Sequence, residues 1–272
     1  KFVLYKIHFE WLTDMALVKS TAIVLHHRDQ GETSKIVTLF TRQYGKISLI
    51  AKGARVIKSR YGGALEPFTH LDAVFYKKET RDLQFLSQVD IIHPFSVIRG
   101  QLGRIALASI PCEMVDRHEA VGHAAPALFT LLLETLTALD EGDRGLRNVV
   151  RAFQVKFAAL SGFRPQLVGC SVCGRENPAG QVVFEYENGG YRCADCLSSS
   201  VAGFRLSSYG VELLRYLQNA PVRSAGRSRV SAELGRDLDE CLMHYIGYHM
   251  ENLHHLASVA YLQQLQNSIK LT

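Results

Sequence analysis

The stretch STAIVLHHRDQGETSKIVTLFTRQYGKISLIAKG, residues 20–53, decides how the chain starts to fold. It holds three runs rich in β-branched and aromatic residues, STAIVL, KIVTLF and KISLIAKG. Gly31 and the QYGK around Gly45 separate them. Such side chains suit a pleated, half-buried surface, and glycine allows the chain to reverse between runs. Two further runs of the same kind follow, LDAVFYKK and LQFLSQVDII, the first preceded by Gly62 and Gly63. The pattern predicts five short strands within residues 15–93.

Strands so short and so close fit a small barrel or a sandwich, and a five-stranded OB barrel is one natural solution. After Pro94 the period changes. Val97, Ile98, Leu102, Ile105, Ala106, Ala108 and Ile110 are spaced as one buried helical face over 95–118, and Pro111 is expected to kink or break it. APALFTLLLETLTALDEGD predicts a helix from near Pro126 to near Gly142. LRNVVRAFQVKFAALSGF predicts another, ended at Gly162 with Pro165 beyond. SSYGVELLRYLQNA follows, with Ser207 as N-cap, and then a long helical stretch from Val230 to Leu265. PVRSAGRSR between these two reads as a polar, basic loop.

The expected class is therefore α+β: a five-stranded barrel over 15–93, an all-α domain over 94–168 and 204–272, and an inserted cysteine module over 169–203. Residues 1–14 precede MALVKSTAIV, which reads as a protein start at Met15, and are expected to be an N-terminal extension, either an upstream native segment or a non-native addition. A genuine short amphipathic helix is the alternative. The 272 residues are 47% hydrophobic and 21% charged, enough for real cores. No apolar run reaches the roughly 18–20 residues of a membrane span, and no secretory signal is visible. A cytoplasmic location is the expectation.

The module GCSVCGRENPAGQVVFEYENGGYRCADC, residues 169–196, contains two C-x-x-C pairs, Cys170/Cys173 and Cys193/Cys196. In a reducing compartment such pairs point to metal rather than disulfides, with disulfides or free thiols as the alternatives. Each pair aims two thiolates at one point, and two pairs complete a tetrahedron. QVVFEY and YRC read as strands joined by a hairpin turn at Asn188-Gly189, the build of a zinc ribbon. Four thiolates leave no position for water or substrate, so the Zn²⁺ is expected to be structural. The zinc deaminases place a proline before their C-x-x-C, and neither pair here follows one.

The net charge is +5, and its distribution matters more than its sum. Between Arg42 and Glu66 there is no acidic residue, while Lys46, Lys52, Arg55, Lys58 and Arg60 fall there with Tyr44 and Tyr61, and Phe68 lies just beyond. Cations that neutralise phosphates and aromatics that stack on bases are what single-strand binders combine, so this edge is expected to be a DNA groove with aromatic platforms. Lys77 and Lys78 are candidates to extend it. A solvated loop whose charge only aids solubility is the competing reading. His244, His249, His254 and His255, expected on one C-terminal helix, make no H-E-x-x-H, and Cys112 and Cys241 read as buried structural thiols. No phosphate-binding G-x-x-x-x-G-K-[ST] and no G-x-S-x-G is present, so no enzyme is indicated.

From Gly31-Glu32 through KIVTLFT, GK, AKGAR and Lys58-Ser59-Arg60, the sequence resembles the RecO family of bacterial recombination mediators. The likeness continues through LSGFRPQLVGCSVCG, the second cysteine pair and FRLS, from about residue 15 to the end. It implies an N-terminal OB fold, a helical domain and a zinc module. It further implies binding of single- and double-stranded DNA, annealing of complementary strands, and loading of RecA onto coated single strands together with RecR. Contact with the C-terminal tail of single-strand-binding protein and a place at the nucleoid are implied as well. The residues expected to act are Cys170, Cys173, Cys193 and Cys196 on zinc, and Lys35, Arg42, Lys46, Lys52, Arg55, Lys58 and Arg60 on DNA. A zinc-ribbon transcription or interaction factor, reading nucleic acid through Arg175 and Arg192, is the alternative.

Overall fold

A computed structural model describes residues 15–176, 179–197 and 203–270. The expected extension 1–14 lies outside the described residues. The chain forms two compact units: the described residues up to Phe95 with Glu119–Phe129, and Ser96–His118 with the described residues from Thr130 onward.

In the first unit, strands β1 (Ala16–Gln30), β2 (Ser34–Thr41), β3 (Gly45–Ala51), β4 (His70–Lys77) and β5 (Leu83–His93) close into a barrel in the order β1-β2-β3-β5-β4. This is the five-stranded OB arrangement. Closure depends on β1 serving two partners. Ala16–Ile23 pairs with β4, Ala22–Gln30 pairs with β2, and the register shifts between Val24 and His26, where the strand bends. Along β3 burial alternates residue by residue, so Ile47, Leu49 and Ala51 face the core with Val37, Leu39, Leu71 and Phe75.

The β3–β4 connection, residues 52–69, consists of turns. Tyr61, Ala64 and Leu65 on it are 2–3% exposed and belong to the barrel core. Phe68, at φ 72 and also buried, is held by Phe68 N–H to Val24 O (2.8 Å). Residues 119–129 return to the barrel after a helical excursion. Gly122 N–H donates to Lys46 O at 3.0 Å, and Phe129 packs on Phe40 with ring centroids 6.0 Å apart. Gly45, at φ +65, meets this segment so closely that a Cβ would sit 1.9 Å from His123 O.

The second unit contains helices α1 (Ser96–Gly100), α2 (Leu102–His118), α3 (Pro126–Glu141, which enters from the first unit), α4 (Leu146–Leu160), α5 (Ser208–Asn219), α6 (Ala232–His249) and α7 (Ala257–Lys270). It also holds a three-stranded sheet, β7-β6-β8, of β6 (Gln181–Glu185), β7 (Tyr191–Cys193) and β8 (Gly203–Ser207). Ser207 caps α5 by accepting from Gly210 N–H at 3.2 Å. The N-terminus of α7 is closed by Glu113, whose carboxylate accepts from Ser258 N–H at 2.8 Å and Ala257 N–H at 3.0 Å. Around α4, the buried Arg151 guanidinium donates to Asp239 (2.7 Å), Asn148 (2.6 Å) and Gly235 O (2.8 Å). A charge buried this deeply is retained because its donors are satisfied.

Three expectations are corrected. Pro111 does not end its helix: α2 runs through it to His118, with Ile110, Pro111 and Cys112 all buried. Proline removes one hydrogen bond, and the packing of this buried helix tolerates the loss. The C-terminal stretch is not one helix: α6 stops at His249, a short 3-10 turn spans Glu251–Leu253, and α7 restarts at Ala257, so His254 and His255 lie between helices. PVRSAGRSR, expected to be a loop, contains a 3-10 helix at Val222–Arg227.

Candidate metal centre and nucleic-acid interface

The Sγ atoms of Cys170, Cys173, Cys193 and Cys196 all lie within 4.8 Å of one another. Four thiolates at about 2.3 Å from one ion would have tetrahedral edges of about 3.8 Å. The Cys173–Cys193 Sγ separation is 3.7 Å. The donor set therefore fits a four-sulfur metal site, and all its positions are filled by protein. The backbone prepares it. Gly174 N–H bonds Cys170 O (2.9 Å), Cys170 N–H bonds Arg175 O (3.0 Å), and Cys193 N–H points at Cys170 Sγ (3.4 Å). The β6–β7 hairpin delivers the second pair, turning at Gly189 with φ +62.

Burial alone would raise the Cys170 thiol, but the amides of Cys173, Cys193 and Val172 outweigh it and bring it down to about 6. The other thiols crowd around that charge. Hydrogen bonding with Cys173 and Cys193 and then burial push Cys196 up to about 12. Burial, first, also raises Cys193. A divalent cation relieves this crowding by taking four thiolates at once. The lone cysteines differ: burial raises Cys112 to about 12 and Cys241 upward as well, the state of inert core thiols.

The basic residues of the barrel do not form one patch. Lys35 pairs with Ala51 in the register of β2 and β3, while Arg42 follows the Thr41–Gly45 pair at the opposite end. Six residues of strand separate those ends by about 20 Å. Arg42 and Lys46 thus flank the β2–β3 turn, and Lys77 joins them, its Nζ 5.5 Å from the centre of the Tyr44 ring. Lys52, Arg55, Lys58 and Arg60 belong to the other end, on the β3–β4 loop.

Lys35 and Arg55 face counter-charges that lie outside the acid-free run. Lys35 Nζ lies 3.1 Å from Glu66, its side chain 17% exposed, and Arg55 Nε lies 3.2 Å from Asp29. Partial burial would raise the Glu66 carboxyl, yet bonds from Lys35 and His27 hold it below its ordinary value. One signal was present in the sequence: a β1–β2 hairpin puts Asp29 opposite Lys35. Lys52, Lys58 and Arg60 are exposed, with Lys52 Nζ 5.1 Å from the Phe85 ring centre and Arg60 4.9 Å from that of Tyr61.

The aromatic platforms are corrected. Tyr61 and Phe68 are 3% and 5% exposed, and Tyr44 is half-buried edge-on against Phe75. The barrel core uses up Tyr61 and Phe68, and Tyr44 is shared between Phe75 and Lys77. The ribbon cations are engaged as well: Arg192 bonds Glu185 at 2.9 Å, and Arg175 pairs with Asp195. No helix among the described residues is long and apolar enough to cross a membrane.

A closed OB barrel with a cationic loop, followed by a helical unit bearing a four-cysteine ribbon able to hold a metal ion, defines an α+β protein. Comparison with known proteins gives the family. Residues 15–95 match the family described as Recombination protein O N terminal, and residues 99–258 match Recombination protein O C terminal. The chain is 36% identical to the DNA repair protein RecO of Symbiobacterium thermophilum over 85% of its length and 92% of that protein. It is 35% identical to that of Pelotomaculum thermopropionicum over 92% of this chain and 95% of that protein. The chain belongs to the RecO family of DNA repair proteins.

Proposed function

We propose that the chain is a recombination mediator that acts by binding DNA, not by covalent chemistry. It binds single and double strands, anneals complementary strands, and helps load RecA onto coated single strands with RecR, docking on the C-terminal tail of single-strand-binding protein. It works in the cytoplasm, at the nucleoid. The observation that carries the reading is the loop of residues 52–60: acid-free, exposed at Lys52, Lys58 and Arg60, and mounted on a closed barrel. Phosphates of two strands repel, and cations on a rigid surface neutralise them while leaving base edges free to pair. Lys52, Lys58 and Arg60 take phosphates at this end, and Arg42 and Lys46 at the other. Lys35 and Arg55 contribute by holding the loop and hairpin in place.

The four cysteines hold a structural Zn²⁺. A closed four-sulfur set supplies folding energy and no reactive position. Support for the barrel over the ribbon as DNA reader comes from the ribbon's arginines, both engaged by carboxylates. The test is annealing of two complementary oligonucleotides without added nucleotide. The expected result is acceleration by the parent and its loss in a K52A/K58A/R60A variant with unchanged circular dichroism. Parent protein that folds, yet binds no DNA and leaves annealing at its spontaneous rate, would remove the reading.

A further inference from the structure

At the crest of the β3–β4 loop stand two aliphatic side chains that the barrel does not use. Ile57 is 104% exposed and Val56 46% exposed, in a protein whose other large apolar residues mostly find cover. The crest is held up from both sides. On the near side, Arg55 N–H bonds Thr33 O at 2.9 Å, and its guanidinium reaches Gly31 O at 2.6 Å and Asp29 at 3.2 Å. On the far side, Tyr61 is buried, its hydroxyl donating to Leu86 O at 3.0 Å. Between the anchors, Ser59 N–H to Val56 O (2.9 Å) closes the turn that presents Ile57 outward.

We propose that the Val56–Ile57 crest is a wedge that inserts between neighbouring bases of single-stranded DNA. The proposal rests on the DNA-binding reading above and names how that loop engages its ligand. The charges fit the occupant: Lys58 and Arg60 follow the wedge at once and Lys52 precedes it, with no acid between. Phosphates on either side of an opened base step would meet these cations while the aliphatic tip fills the gap. A two-residue tip matches the space between two bases, whereas lipid surfaces are met by long apolar helical faces. A single strand is the less costly occupant, because a duplex must also be unstacked and kinked to admit the same tip. The missing aromatic platforms support the same assignment. With Tyr61 and Phe68 spent on the core, the exposed apolar groups left on this loop are aliphatic ones, which separate bases instead of stacking on them.

The test uses the full chain and a single-stranded oligonucleotide carrying 2-aminopurine, whose fluorescence rises when its neighbours unstack. Bound parent protein is expected to raise that fluorescence severalfold. Ile57→Ser is expected to lose at least half of the rise while anisotropy shows binding within about threefold of the parent, and Ile57→Leu is expected to keep it. Equal rises for the parent and Ile57→Ser overturn the wedge. Parent protein that binds without any rise also overturns it but leaves the DNA reading standing, and no binding at low salt overturns both. If Ile57→Ser instead abolishes binding to phosphatidylglycerol vesicles with the 2-aminopurine signal unchanged, the crest belongs to lipid and the wedge falls.

Discussion

Removing Lys52, Lys58 and Arg60 together is expected to weaken DNA binding most at low salt and to flatten its salt dependence. Each phosphate contact on a single strand contributes about −0.7 to the slope of log K against log salt. Three contacts amount to a slope of about −2. Between 50 and 200 mM salt that is roughly a twentyfold loss of affinity carried by these side chains. The K52A/K58A/R60A variant should therefore show a slope shallower by about 2, and its deficit relative to the parent should shrink about twentyfold over that range. Lys35 and Arg55 provide the contrast, because each already faces a carboxylate, Glu66 and Asp29 respectively. Lys35→Ala and Arg55→Ala should leave the slope nearly unchanged while lowering stability by up to about 1 kcal/mol. Fluorescence anisotropy across salt measures the slopes, and urea unfolding the stabilities. An unchanged slope in the triple variant, or an equal flattening in Lys35→Ala, would refute the division between phosphate contacts and structural pins.

Cobalt should replace the metal with the absorption of a four-sulfur tetrahedral site, and Cys193→Ser should weaken metal binding and lower the melting temperature of the helical unit; an oxygen-ligand spectrum in the parent would count against a closed site. Gly45→Ala should cost more than about 2 kcal/mol, since positive φ and the His123 carbonyl both oppose a Cβ. Gly53→Ala, also at positive φ but with nothing within 4 Å, should cost only about 1 kcal/mol, so equal losses in urea titrations would deny the close approach. Burial, ahead of the opposing field of Asp72, lowers the His70 pKa, and its Nε2 is buried without a partner. The unfolded chain then binds the proton first as pH falls. Stability is full above the ordinary histidine value, declines as pH drops through it, and levels off below the depressed folded value. Thermal melts of the parent against His70→Phe from pH 8 to 5 check this, and parallel curves would exclude His70 as a source.

The barrel strands were legible because β-branched and aromatic runs and glycine turns are local signals; β3 then alternates residue by residue, while β2 is buried at six consecutive positions. The cysteine pairs were legible because spacing alone brings thiolates together. Long-range relations were not. Tyr61 reads as a surface aromatic among cations, yet the loop folds it into the barrel end, where its hydroxyl finds Leu86 O. Asp29 and Glu66 lie outside the basic run and reach it only through pairing and loop closure. β8 was not foreseen as a strand, because its five residues gain strand character only by pairing with β6.

The barrel also has a consequence for synthesis and dissection. Its last contributing segment, Glu119–Phe129, is separated from β5 by α1 and α2. A fragment cut after Phe95 would lack the chain that covers Gly45 and the ring that packs on Phe40. Such a fragment is expected to expose part of its interior and to be rescued by the full chain's own 119–129 sequence grafted behind a short linker. On the ribosome the same order applies: the five strands emerge first, but the cover over Gly45 and Phe40 arrives only with Phe129, after α2 has emerged.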